Sequence, residues 1–324
     1  MATYKETKGT GVRNFSSDPD NPVLGQIWYN TTSNVFKGLG FVEGWATGGN
    51  LNTARSFPAG AGTQTAGLAM GGEGPAVEDS TEEYDGSAWT EGGAMGSART
   101  ELAGAGTQTA GLAFGGSPPN SGLVATEEYD GSAWTAGGDL GTARRTLAGA
   151  GTLTAGLAFG GKNPPSGPPA ALNATEEYDG SSWTSGGNMG TARYTLAGFG
   201  TQTAGLAAGG RDKTAATEEY DGSSWTAGGN LNTARFRVVG AGTQTAGLAF
   251  GGTEDPPATA ATEKYDGTSW AATSDMNTLI SSGMQGSAGT QAAALGFGGG
   301  PTGGALTYTG EYGLAAGTVT FTAS

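Results

Sequence analysis

The stretches "TAGLAFGG" (residues 109–116) and "ATEEYDGSAW" (residues 125–134) are two halves of one pattern. In the first, small and apolar residues run up to a glycine doublet. In the second, Tyr129 and Trp134 stand five apart around Asp130-Gly131. An Asp-Gly pair between such runs is a strong hairpin signal. Read outward, the unit is four short strands: 100–106, 109–116, 125–131 and 132–138. "DLGTAR" then leads into the next unit. No 3.6-residue apolar period is present to suggest a helix.

The unit recurs along the chain. The doublets lie at Gly71-Gly72, Gly115-Gly116, Gly160-Gly161, Gly209-Gly210, Gly251-Gly252 and Gly298-Gly299. The aromatic pairs lie at Tyr84 and Trp89, Tyr129 and Trp134, Tyr178 and Trp183, Tyr220 and Trp225, and Tyr265 and Trp270. Steps of 42 to 49 residues are too long for leucine-rich or ankyrin units. They suit four short strands with their turns, the size of one β-propeller blade. Glycine inside a strand costs backbone entropy and offers nothing to pack, so a lone unit is not expected to fold. A closed ring, which removes unpaired edges, is the expected solution.

Composition removes whole classes of function. Among 324 residues there is no cysteine and no histidine. Disulfide frameworks, Cys/His zinc sites and imidazole bases are therefore excluded. A net charge of −14 disfavours nucleic acid and anionic membrane as partners. No run of 18 apolar residues predicts a membrane span, and the N-terminus lacks a signal-peptide core. Phosphate-loop spacing GxxxxGK[ST] is absent.

An apolar strand ending in Gly-Gly, a variable loop, a Tyr, a Trp and an Arg before the next unit resemble the kelch repeat. The resemblance covers roughly residues 45 to 312 and implies a β-propeller with one four-stranded blade per repeat. Three places depart from it. Gly40 stands where the first unit should have its Tyr, Ile280 stands where the last should have its Arg, and no doublet directly follows Trp270. "ALTYTGEY" near the C-terminus is similar to "ATEEYDG", which implies a sixth blade built from both termini. The expected fold is thus an all-β, six-bladed kelch-like propeller over 31–324, with an arm and the start of a hairpin over 1–30. Copper sugar oxidases are kelch-like, but their copper chemistry requires His and Cys, which this chain lacks. "NPVLGQIWYNTTSNVFKGL" (residues 21–39), followed by these units, is similar to tail-associated proteins of marine tailed phages. By itself it reads as a hairpin, "QIWYN", a "TTSN" turn and "VFKGL".

Repeat symmetry also places charge. In "TEEY", adjacent glutamates point to opposite faces of a strand and cannot form one carboxylate dyad. Arg55, Arg99, Arg144, Arg193 and Arg235, five of the nine arginines, each precede a first strand. Two roles stay open for them. They could form a ligand or partner face that grips the carboxylates or sulfates of an acidic glycan. Alternatively, each could bridge to a glutamate or carbonyl of a neighbouring blade. The loops after the doublets differ from unit to unit and should share a face with these arginines. The Tyr–Trp pairs read as packing wedges, with Gly-Gly leaving the space that the rings fill.

The expected function is that of a non-enzymatic structural or recognition protein of a virion: a tail-fibre, tail-tip or decoration component without cofactor. Its partners would be other virion proteins through the arm, and a host-surface glycan or protein; a homo-oligomer is compatible with this. It would be made in the host cytoplasm and act outside the cell. A cellular kelch-type interaction scaffold and a carbohydrate-active enzyme are the alternatives.

Overall fold

The computed structural model describes residues 12–118, 123–163, 170–211, 214–254, 258–279, 286–300 and 304–321. The described chain is all β, with no helix among these residues. It divides into two compact units, Met1–Gly44 with Leu314–Ser324, and Trp45–Gly313. The boundary expected at residue 30 falls at the end of a strand inside the first unit.

Within Trp45–Gly313, five antiparallel four-stranded sheets follow one another, each from a contiguous segment. The second consists of Ala103–Thr107, Ala110–Phe114, Thr126–Tyr129 and Trp134–Ala136. A sixth set starts with Gly286–Gly289 and Ala294–Phe297, then the beginning of Thr309–Phe321, which pairs with the strand Val35–Thr47. Tyr312 and Trp45 lie there with ring centroids 5.4 Å apart. The missing first-unit tyrosine is therefore supplied from the other end of the chain. The result is a repeated, propeller-like all-β fold with paired terminal strands.

The Asp-Gly turn forms as its sequence dictates. Tyr129 pairs across the hairpin with Trp134. Asp130 Oδ1 accepts the N–H groups of Ser132 and Ala133, each at 2.8 Å, while Gly131 takes φ 92°. The same turn recurs in the other four sheets. At Asp179, the Ser181 hydroxyl and then the backbone N–H groups of Ser182 and Ser181 pull the carboxyl down to about 2.

What the sheets lack internally they take from their neighbours. Each core cluster joins two successive sheets: Leu68 and Met70 of the first meet Ala113, Tyr129 and Trp134 of the second, with Met95 and Leu102 from the linker. Polar groups reinforce the same joints. The Trp134 indole N–H donates to Thr81 Oγ1 at 2.9 Å, and the Tyr129 hydroxyl donates to Glu83 at 2.6 Å. The amide of Gln108 donates to the carbonyls of Gly67 and Tyr84. The indole contact repeats from Trp183 to Thr126, Trp225 to Thr175, Trp270 to Thr217, Trp45 to Thr262 and Trp89 to Thr309.

Two expectations need correction. The first strand was expected over 100–106 but runs Ala103–Thr107. Thr100 instead bridges Ser117, and Glu101 takes a left-handed φ of 57°, which ends the extended run. Nor does the glycine doublet make room for the rings. A Cβ at Gly115 would lie 2.8 Å from the Arg144 carbonyl, so the doublet accommodates the backbone of the next linker. Room for Tyr129 comes from Gly111, directly opposite it, and from Gly92, whose added Cβ would lie 2.6 Å from the tyrosine oxygen.

In Met1–Gly44 with Leu314–Ser324, the expected hairpin is present. Ile27–Asn30 pairs antiparallel with residues 35–38, and Arg13–Phe15 adds in parallel. Asp18 fastens the preceding segment, accepting from Lys37, Asn30 and Trp28. The hydrogen bond from Lys37, then those from Asn30 and Trp28, lower its carboxyl to about 2.

The packing generates two predictions. Trp134→Ala removes a wedge and its hydrogen bond to the preceding sheet, and should cost about 3 kcal/mol in urea unfolding. A variant that unfolds like the wild type would overturn the wedge assignment. Burial, and then the Glu83 carboxylate, push the Tyr129 hydroxyl up to about 12 from 10.0, and Tyr84, Tyr178, Tyr220 and Tyr265 shift likewise. The unfolded chain releases these protons first, so their contribution is complete below pH 10 and is lost as pH climbs towards 12. Melting temperature against pH should fall across that window, and less steeply in Tyr129→Phe.

Candidate functional site

The linker between consecutive sheets is where the repeated arginines sit. Arg144 is fully buried; its guanidinium donates to Glu176 Oε1 at 2.5 Å and to the carbonyls of Ala174 at 2.9 Å and Gly160 at 3.2 Å. Glu176 Oε2 accepts the linker N–H of Gly141 at 2.6 Å. Arg55 with Glu82, Arg99 with Glu127, Arg193 with Glu218 and Arg235 with Glu263 repeat the arrangement. Burial pulls the Arg144 guanidinium below its usual value, and the Glu176 charge opposes this. These glutamates belong to the sheet that follows the arginine in sequence, not to a neighbouring sheet. The pair thus anchors the linker to the third strand of the sheet it enters. With exposures of 0 to 1%, the five arginines offer no charge to a ligand.

The sixth repeat lacks both partners in sequence. Gly310 stands at the glutamate position, and Ile280, at the arginine position, lies outside the described residues. Losing both charges together avoids a buried unpaired one.

The first strands lie side by side in repeat order, and Gly286–Gly289 touches both Val239–Thr243 and Ala59–Thr63. They line a central cavity of about 240 Å³ whose wall is mostly alanine and glycine backbone. Ser287 brings a hydroxyl to this wall, and it donates to the Gly240 carbonyl at 2.9 Å. Among the described residues, no cluster of three acidic side chains could hold a metal ion.

Chemistry gathers instead at one end of this cavity. Pro58, Leu102, Leu147, Leu196 and Val238 line it there. The residue just before each has a left-handed backbone: Phe57, Glu101, Thr146, Thr195 and Arg237, with φ from 51 to 57°. Such φ values are costly for residues other than glycine and persist where surrounding contacts enforce them. Here the enforcing contacts form a chain. Glu101 N–H donates to the Phe57 carbonyl, Thr146 to Glu101, Thr195 to Thr146 and Arg237 to Thr195, at 2.8 to 3.2 Å.

Around this backbone hoop, three positions per repeat carry the variation. The residue after each buried arginine pairs with the residue after the glycine doublet: Ser56 with Glu73, Thr100 with Ser117, Arg145 with Lys162 and Phe236 with Thr253. Arg211 likewise donates its N–H to the Tyr194 carbonyl at 2.8 Å. Repeats three to five therefore concentrate cations and rings. Lys162 Nζ lies 5.0 Å from the centroid of Tyr194, and Arg211 and Arg237 lie 5.4 and 5.6 Å from Phe236. Arg237 also covers Phe57 at 5.8 Å. Arg145 reaches back to Glu101 at 2.9 Å. Burial lowers the Lys162 ammonium; Glu101 opposes this, and Arg145, Arg211 and Arg237 add to it.

The residue after each of these arginines thus lies beside the residue after a doublet, and the partly exposed charge there belongs to other residues than the repeated arginines. Sequence reading singled out the arginine that repeats and missed its neighbours. Aligning the repeats on Arg and Gly-Gly exposes the signal, because the adjacent columns change charge from unit to unit. Parts of the expected variable loops, 119–122, 164–169, 212–213 and 255–257, lie outside the described residues. Among the described residues, no helix is long and apolar enough to cross a membrane. No protein-family model matches the chain, and no curated protein matches it.

The buried pairs generate a third prediction. Arg144→Met should cost about 3–5 kcal/mol, because it strands the Glu176 charge. Adding Glu176→Gln should recover part of that loss in urea unfolding. Equal costs for the single and double variants would show that the charge pairing contributes nothing.

Proposed function

We propose that Trp45–Gly313 is a closed six-bladed propeller of the kelch kind, and that the protein is a non-enzymatic recognition or structural component of a virus particle. The observation that carries the recognition reading is the contrast at the cavity end. Turns, wedges and buried ion pairs repeat from sheet to sheet, while the positions just after each buried arginine and just after each glycine doublet differ in every repeat. A rigid frame presenting variable side chains at one end is how binding surfaces are commonly built. Closure is supported by contacts from the sixth set to the first sheet: Gln64 donates to the carbonyls of Ala294 and Tyr312, and Trp89 to Thr309.

Attachment would fall to the other unit. Val23, Leu24, Ile27, Phe36, Phe41, Leu314 and Phe321 are exposed there at 47 to 68%. An apolar surface of this kind suits burial against another protein of the particle. The virion setting itself comes from the resemblance of residues 21–39 and the repeats to phage tail-associated proteins.

Immunogold electron microscopy of purified particles should label the tail or capsid surface. Particles free of the protein would overturn the virion reading in favour of a cellular scaffold. In a cell-attachment competition assay, Phe236→Ala at the cavity end should weaken competition roughly tenfold. Thr135→Ala, on an exposed fourth strand, should leave it unchanged.

A further inference from the structure

In a chain of net charge −14, the described residues at one end of the cavity bring several cations close together. Arg145, Lys162, Arg211 and Arg237 come from three consecutive repeats and, among the described residues, gather around the carboxylate of Glu101. Repeat symmetry does not demand this. The equivalent positions of the first two repeats carry Ser56, Phe57, Glu73, Thr100, Glu101 and Ser117. The cations are also held rather than loosely displayed. Arg145 and Lys162 are paired through their backbones, and the side chains of Lys162, Arg211 and Arg237 lie over Tyr194 and Phe236. Arg237 occupies one of the left-handed positions of the hoop, where a non-glycine residue is strained. The Nε of Arg145 is buried without a hydrogen-bond partner.

From this geometry we infer an anion-binding site formed by Arg145, Lys162, Arg211 and Arg237, which takes a tetrahedral dianion, the sulfate or phosphate group of an ester. The inference rests on the recognition reading above and names the chemistry that face would select. Among the described residues, Arg145, Lys162 and Arg211 alone outnumber the carboxylate of Glu101, an excess that a single carboxylate ligand would not neutralise. A tetrahedral group offers oxygens in several directions, which suits donors arriving from three repeats, and guanidinium forks match its oxygens in pairs. The rings of Tyr194 and Phe236 hold the cations in place by cation–π contact and shield them from water, which strengthens the charge interaction. Glu101 acts as the internal competitor: it holds Arg145 until an anion arrives.

Titration calorimetry at low ionic strength, with the full-length protein, tests the site. The probes are inorganic sulfate, inorganic phosphate and a sulfated disaccharide. Wild-type protein should bind at least one of them, and binding should weaken with added sodium chloride. Lys162→Glu and Arg211→Glu should each weaken binding roughly tenfold or more. Arg13→Glu makes the same change in net charge far away in sequence, on the exposed strand Arg13–Phe15, and should leave affinity unchanged. Glu101→Gln should tighten binding. Tighter binding of the disaccharide than of the free ions would assign the ligand as a sulfated saccharide; the reverse order would assign the free anion. No binding of any probe by folded protein, or equal weakening by Arg13→Glu and Arg211→Glu, would overturn the site. If Phe236→Ala still abolishes attachment in that case, the recognition reading survives and the anion assignment alone fails.

Discussion

A strand of alternating alanine and glycine cannot hold a sheet together by its own side chains. In this protein the holding is done across sheets, by a tryptophan and a tyrosine that each sheet inserts against the one before. The indole N–H reaches a buried threonine of the preceding sheet, and the tyrosine hydroxyl reaches its exposed-side glutamate. The tyrosine hydroxyl presses on a glycine that would not admit a Cβ, Gly92 in the case of Tyr129. Small residues are thus a requirement for the close approach rather than a weakness the fold tolerates. The same contact continues through the terminal strands, where Trp45 meets Thr262 and Trp89 meets Thr309.

The joints between sheets carry the second constraint. A linker that leaves a fourth strand and enters the next first strand must turn tightly and bury its backbone. The arginine of each linker spends its donors on glutamate and on carbonyls of the sheet it enters, and the glutamate returns its second oxygen to a linker N–H. Two residues further on, the chain takes a left-handed turn and hands its N–H to the corresponding residue of the previous repeat. The frame so made is uniform. The side chains at its exposed end are free to differ, and there the cations and rings collect.

Much of this was legible in the residues. The doublet period, the Asp-Gly turns and the five Tyr–Trp pairs fix the strand count and order within each unit. Similarity between "ALTYTGEY" and "ATEEYDG" anticipates that the two ends of the chain share one sheet, and Tyr312 beside Trp45 shows how. The glycine doublet was misread because its role depends on a backbone about 30 residues away. The arginines were the least legible. Their regular spacing is equally compatible with an exposed ring and with buried pairs, and sequence does not record burial.

The sequence by itself determined the repeat: which residues make turns, which make wedges, and how many strands each unit holds. It could do so because those features are local, set by φ > 0 at a glycine, by an aspartate reaching two residues on, and by alternation along a strand. Only the tertiary structure decided which of two neighbouring basic residues, Arg144 or Arg145, is buried and which faces the cavity end. That choice depends on the glutamate, carbonyls and rings brought to the linker from other strands, and no local rule within "TARRTL" distinguishes the two.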